Sequence, residues 1–230
     1  MFKAFMAALT IVLVISVIGY VVLIKQSKDK NAGAPQNGGT QMESVESLWI
    51  PDNGWEGVRV PEFTMLGPDG QTRDQSVLEG HVTILTFFFT HCTSVCPAMH
   101  GVMYDIEEQL KGTPIRFVSI SVDPEHDTPA RVSEYAKQWG VDADRWIYLI
   151  PDAETLDRIV RRELQFDLST NSEVLATSDG GEMQNIVHPS HLFLIGPDRQ
   201  VLGTYEYRFE ARVNAITDRA RSLAIDLSRR

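Results

Sequence analysis

The run His81–Phe89, "HVTILTFFF", constrains the fold more than any other stretch of this chain. It is β-branched and aromatic, and apolar residues do not alternate with polar ones. A strand with one wet face would alternate, so this one reads as a central strand covered on both faces. "IRFVSISV" (115–122) is a second run of the same kind. Between them Ala98, Val102, Ile106 and Leu110 recur every fourth position, which predicts an amphipathic helix closed by Gly112. Buried strands joined by a helix are the unit of a layered α/β domain.

The rest of the chain continues the alternation. "DTPARVSEYAKQWG" predicts a helix with Thr128 as N-cap, Pro129 at its first position and Gly140 at its end. "RWIYLI" (145–150) predicts a third core strand and "DAETLDRIVRREL" a third helix. "HLFLIG" (191–196), the turn "PDRQ" and "VLGTYEY" predict a β-hairpin. Phe209, Val213, Ile216, Ala220, Leu223 and Leu227 step by threes and fours through a closing helix. Upstream, "RVPEFTML" reads as a strand and "GPDG" as a turn. Residues 165–185 are polar and glycine-containing, and read as an inserted loop or short hairpin. The order β-α-β-α-β-α-β-β-α predicts an α/β fold of the thioredoxin-like sandwich class.

The N-terminal part is of another kind. Phe5–Ile24 carries no charge, and about 20 such residues span a bilayer core as a helix. The run ends in "KQSKDKNAGAPQ", without a small-residue cleavage site close behind it, so it reads as an uncleaved transmembrane helix. Lysines flank it on both sides, which leaves its orientation open. The stretch that follows is rich in Gly, Asn, Gln and Ser, as flexible tethers are. The expected organisation is a membrane anchor over 1–24, a linker over 25–46 and one folded domain over 47–230. Net charge is −10. Lys3, Lys25, Lys28 and Lys30 against Asp29 and Glu43 give the first 45 residues +2, so the remainder carries −12. An acidic domain excludes nucleic acid as the expected partner and favours a cation or a basic protein surface.

Chemistry concentrates where the first core strand meets its helix. Cys92 and Cys96, the only two cysteines, stand in "FFFTHCTSVCP". Pro97 is expected at the first helical position, with Cys96 near the N-cap and Cys92 in the loop before it. The partial positive charge of a helix N-terminus stabilises thiolates. Dithiol redox enzymes use a two-residue spacer; the third residue here leaves room for an ion between the sulfurs. Paired thiolates suit a soft cation such as Cu(I), or Zn(II), and a histidine would complete a trigonal site.

Six histidines are available. His81 and His126 are expected at the surface. His91 abuts Cys92 and so points elsewhere, and His100 is expected on a solvated helix face. Met99 and Met103 read as core. His188, in "NIVHPSHLFLIG", precedes the strand that opens the hairpin. In a thioredoxin-like sandwich that loop passes beside the cysteines and carries a cis-proline, here Pro189. His191 is a second candidate.

Three ordered segments, "FFFTHCTSVCP", "VSISVDPEHDTP" and "HPSHLFLIGPDRQVL", resemble the Sco (SenC) family of membrane-tethered copper chaperones over roughly residues 58 to 228. The resemblance implies Cys92, Cys96 and His188 as ligands of one copper ion, Cu(I) or Cu(II), with Cys92 and Cys96 also a redox-active pair. Asp123 and Asp127 match the family's "DPxxDTP" segment as structural residues. The implied role is a metallochaperone that assists assembly of the copper centre of cytochrome c oxidase. Its partners would be subunit II or another copper enzyme, together with a thiol reductant. The implied location is a single-pass membrane protein with its soluble domain extracytoplasmic, on the periplasmic side of the inner membrane.

Two departures stand out. Val187 replaces the acidic residue that many relatives carry before the histidine, and Pro189 replaces a following Ser or Thr. An alternative function is a thiol–disulfide oxidoreductase, which needs both cysteines but not His188. A thioredoxin-superfamily peroxidase would put Thr at Phe89 and Pro at Leu85, and neither matches.

Overall fold

The absence of polar alternation in the first core run has a direct structural counterpart. In the computed structural model, which describes residues 54–93, 95–177 and 180–229, all six residues of the third strand are buried. The strands are β1 (Thr64–Leu66), β2 (Thr72–Asp74), β3 (Thr83–Phe88), β4 (Arg116–Ser121) and β5 (Trp146–Leu149). They continue with β6 (Ser169–Ala176), β7 (Glu182–Val187), β8 (His191–Ile195) and β9 (Val201–Glu206). The helices are α1 (Val95–Gln109), α2 (Pro129–Trp139), α3 (Ala153–Asp157) and α4 (Glu210–Ser228). The last turn of α3 runs on as a π-helical segment, Arg158–Glu163.

Five strands form the central sheet in the order β5-β4-β3-β8-β9. β3 pairs in parallel with β4, and β4 with β5; β8 pairs antiparallel with both β3 and β9. β3 therefore sits in the middle, which is why both its faces are apolar. On one face Phe88 packs against Tyr135, Tyr148 and His100. On the other, Phe87 meets Phe193 edge-on at 5.6 Å. Burying aromatic side chains of this size stabilises the fold by about 2–3 kcal/mol each. The sheet and its helices match the thioredoxin-like architecture expected.

Helix α2 begins and ends as its residues dictate. Thr128 Oγ1 accepts from the Arg131 amide at 3.3 Å, Pro129 occupies the first turn, and Gly140 closes the helix at φ 62°. Other elements differ from expectation. The buried face of α1 is Cys96, Met99, His100, Met103, Ile106 and Glu107; Ala98 is exposed and Val102 half-buried. "RVPEFTML" supplies only the short strand β1, which pairs with β2. Phe209 lies at the N-cap of α4, 56% exposed, outside the buried stripe of that helix. Residues 165–185 contain most of an antiparallel hairpin, β6 with β7, whose second strand runs to Val187.

The predicted anchor (1–24) and linker (25–46) lie outside the described residues. Among the described residues, no helix is long and apolar enough to cross a membrane.

Candidate metal centre

β3 ends at Phe88, and a short loop carries the chain through Thr90 and Cys92 into α1. The loop is tied down at both ends. The Cys92 amide donates to the Phe89 carbonyl at 3.3 Å, and the Cys96 amide donates to Cys92 Sγ at 3.2 Å. Cys96 is the second residue of α1 and Pro97 the third, two positions deeper in the helix than expected from the sequence. The amide bond to Cys92 Sγ delivers the favourable charge of a helix N-terminus to that sulfur.

The two cysteines differ. No disulfide joins them. Cys96 is fully buried, and its thiol is pushed well above the usual range by its hydrogen bond with Cys92 and by burial. Cys92 is 7% exposed and lines a cavity of about 930 Å3, with Pro97, Arg131 and Tyr135 among its walls. Exchange with solvent or a partner therefore reaches Cys92 first.

His188 stands between the end of β7 and the start of β8, so the two neighbouring strands set its position. It is half-buried, and its ring meets Phe89 edge-on with centroids 5.7 Å apart. His188 Nδ1 donates to the Pro189 carbonyl at 3.1 Å. Loss of solvent pulls its pKa down to about 4, leaving the ring neutral. The imidazole thus arrives at the cysteine-bearing loop, although its nitrogen and the two sulfurs do not form a group within 4.8 Å of one another. No described peptide bond is cis, so the expectation of a cis-proline at Pro189 is not met.

His191 is the first residue of β8 and turns toward Phe166, with ring centroids 5.5 Å apart. His100, expected in solvent, is fully buried. Its Nε2 lies 2.8 Å from the Tyr148 hydroxyl, its ring stacks on Trp146, and burial lowers its pKa to about 3. His126 is exposed as expected and donates from Nδ1 to Asp123 Oδ1 at 2.7 Å; that bond raises its pKa.

A polar brace beneath the cysteine loop was only partly legible. Asp127 accepts from the Thr90 amide (3.2 Å), Thr90 Oγ1 (2.5 Å) and Ser121 Oγ (2.6 Å), joining the ends of β3 and β4 to the start of α2. Arg131 Nε donates to Thr90 Oγ1 at 3.0 Å. The resemblance to the family's "DPxxDTP" segment implied Asp123 and Asp127 as structural residues of this turn; Thr90 and Arg131 carried no separate signal. His91, read as pointing away from the cysteines, is buried and lies with Asp123 and Asp127.

The comparisons with known proteins agree with this architecture. The family model described as SCO1/SenC matches residues 56–223. The "SCO1 protein homolog" of Bacillus subtilis (strain 168) is 31% identical over 148 residues, covering 64% of this chain and 72% of that protein. "Protein SCO1 homolog 1, mitochondrial" of Arabidopsis thaliana is 28% identical over 160 residues, 68% of this chain but only 44% of that protein. Among solved structures, that of a disulfide switch in BsSco aligns with a TM-score of 0.59 at 26% identity, covering 73% of this chain and 94% of that one. Arabidopsis thaliana ScoI with copper bound aligns with a TM-score of 0.56 at 25% identity, covering 72% and 98%. Sequence motifs, sheet order and family model coincide over one stretch, and the chain belongs to the SCO1/SenC family.

Proposed function

We propose that this chain is a copper metallochaperone that holds one copper ion through Cys92, Cys96 and His188 and assists assembly of the copper centre of cytochrome c oxidase. The observation that carries this reading is the meeting of His188 with the cysteine loop at Phe89. The copper-bound Arabidopsis thaliana relative and the BsSco structure, whose protein is a member of a family of cytochrome c oxidase assembly proteins, support the cargo and the pathway.

The donor chemistry fits. Two thiolates and an imidazole suit copper, above all Cu(I). With Nδ1 engaged by Pro189 O, the nitrogen left to coordinate is Nε2, and a neutral ring needs no proton removed. Cys96 must give up its proton on loading, and helix α1 already stabilises the charge that develops on Cys92. A three-ligand site opening on one cavity favours hand-over to a recipient, either oxidase subunit II or another copper enzyme, where a closed four-ligand cage would retain the ion. Oxidation of the pair to a disulfide would remove both sulfur ligands, so a thiol reductant is required. Residues 1–24 would tether the domain on the extracytoplasmic face through the linker 25–46.

Anaerobic titration of the reduced chain with Cu(I) tests the proposal. One tight equivalent, lost in Cys92→Ser, is expected; substoichiometric binding, or binding indifferent to Cys92→Ser, contradicts it.

The inequality of the cysteines favours a second reading, a thiol–disulfide oxidoreductase. Cys92 thiolate would attack a partner disulfide and form a mixed disulfide. Cys96 would then displace the partner's second sulfur, leaving Cys92–Cys96 oxidised and the partner reduced by two electrons. In that case His188→Ala leaves reductase activity intact.

A further inference from the structure

At the foot of the cysteine loop lies a cluster that the proposed copper ligation does not use. His91, Asp123 and Asp127 are all buried, and one ligand atom from each lies within 4.8 Å of the other two. Among the described residues it is the only such grouping of three or more His, Cys, Asp and Glu side chains. Two carboxylates packed together out of water cost free energy unless each is paired.

The pairing is unequal. Asp127 is satisfied by Thr90 and Ser121. Asp123 is 4% exposed; its Oδ1 accepts from His126, while its Oδ2 is buried and meets no hydrogen-bond donor among the described residues. Burial and the neighbouring Asp123 charge also raise the Asp127 carboxyl. An orphaned buried carboxylate oxygen next to a second carboxylate and an imidazole calls for a positive charge.

We propose that His91, Asp123 and Asp127 form a second metal site, taking a divalent first-row cation of the Zn(II) class. One imidazole and two carboxylates are the donors such ions accept, whereas the nitrogen disfavours Ca2+ and Mg2+. Two ligands about 2.1 Å from an ion are at most about 4.2 Å apart. A spread of no more than 4.8 Å therefore needs only small side-chain rotations to close. The surrounding bonds already orient the ligands, as outer-shell partners do in metal sites: His126 holds Asp123, and Thr90 with Ser121 holds Asp127. An entry path exists as well. Asp123 and His126 line a cavity of about 620 Å3, with Leu156 and Met183 also among its walls. The site carries no thiolate, so it is independent of Cys92 and Cys96 and survives if the copper reading fails.

The probe is Zn(II), added to the whole chain in detergent on a Cys92→Ser/Cys96→Ser/His188→Ala background that lacks the three proposed copper ligands. One saturable equivalent by calorimetry is expected, weakened at least tenfold by Asp123→Asn and by His91→Gln, each checked for native circular dichroism. Absence of saturable binding by the folded background overturns the proposal, as does affinity unchanged in either folded variant. Zinc-edge X-ray absorption on the background itself needs no further substitution. One imidazole with oxygen ligands supports the site, and a shell with no imidazole refutes it.

Discussion

Replacing His100 by Phe tests how the core beneath the cysteine helix is held. His100 is fully buried, with its pKa lowered to about 3 by loss of solvent from an ordinary value near 6.5. The unfolded chain therefore takes up a proton below pH 6.5 that the folded chain refuses until pH 3. The folded pKa is depressed, so the contribution to stability is fully present above pH 6.5 and is lost as pH falls toward 3. At about 1.4 kcal/mol per pKa unit, roughly 3 kcal/mol should disappear between pH 7 and pH 4 through this residue alone. That is a large share of the about 5–15 kcal/mol a domain has available. His100→Phe keeps the stacking surface toward Trp146 but strands the Tyr148 hydroxyl, which His100 Nε2 meets at 2.8 Å. The stranded group costs about 1–3 kcal/mol. Urea unfolding followed by tryptophan fluorescence should find the variant less stable at pH 7 and level with, or above, the wild type at pH 4. Parallel stability curves across that range would refute the assignment of His100 as a buried neutral imidazole.

Three further outcomes are expected. Under mild alkylation at neutral pH, mass spectrometry should find Cys92 modified well before Cys96, because Cys96 is fully buried and its thiol is held protonated; equal rates would contradict this. Glu107, 3% exposed and paired with Arg145 across the α1–β5 junction, should cost about 3–5 kcal/mol when changed to Ala, read as a fall in Tm, since the guanidinium loses its buried partner. Gly140→Ala should cost about 1–2 kcal/mol by chemical denaturation, because Gly140 closes α2 at φ 62°, where a Cβ is strained.

Much of the fold was legible because periodicity and burial agree where a strand is covered on both sides. β3 and β4 carry that signature in every residue, and the caps of α2 are written as Thr-Pro and Gly. The buried face of α1 was read rightly at Ile106 and, just past its end, at Leu110, but one position off at Ala98 and Val102, where Met99 and Met103 are buried instead. Its polar members, His100 and Glu107, are buried because Tyr148 and Arg145, both brought in with β5, satisfy them. No local pattern announces a partner that arrives from a distant strand. The β6–β7 hairpin read as a loop or short hairpin because most of its residues face solvent on both sides; backbone pairing holds it, and that leaves little trace in residue type. Cys92, Cys96 and His188 were candidates from residue type and order, and their joint ligation stands as a proposal. The association of His91 with Asp123 and Asp127 was not legible, because it depends on β3 and β4 ending side by side.

Copper K-edge X-ray absorption on the anaerobically loaded Cu(I) form, comparing wild type with His188→Ala, tests the central proposal most directly. It should resolve two sulfur neighbours and one imidazole nitrogen in the wild type, with the nitrogen missing from the variant. Identical spectra from the two proteins would remove His188 from the coordination sphere and leave a dithiol carrier in place of a three-ligand copper chaperone.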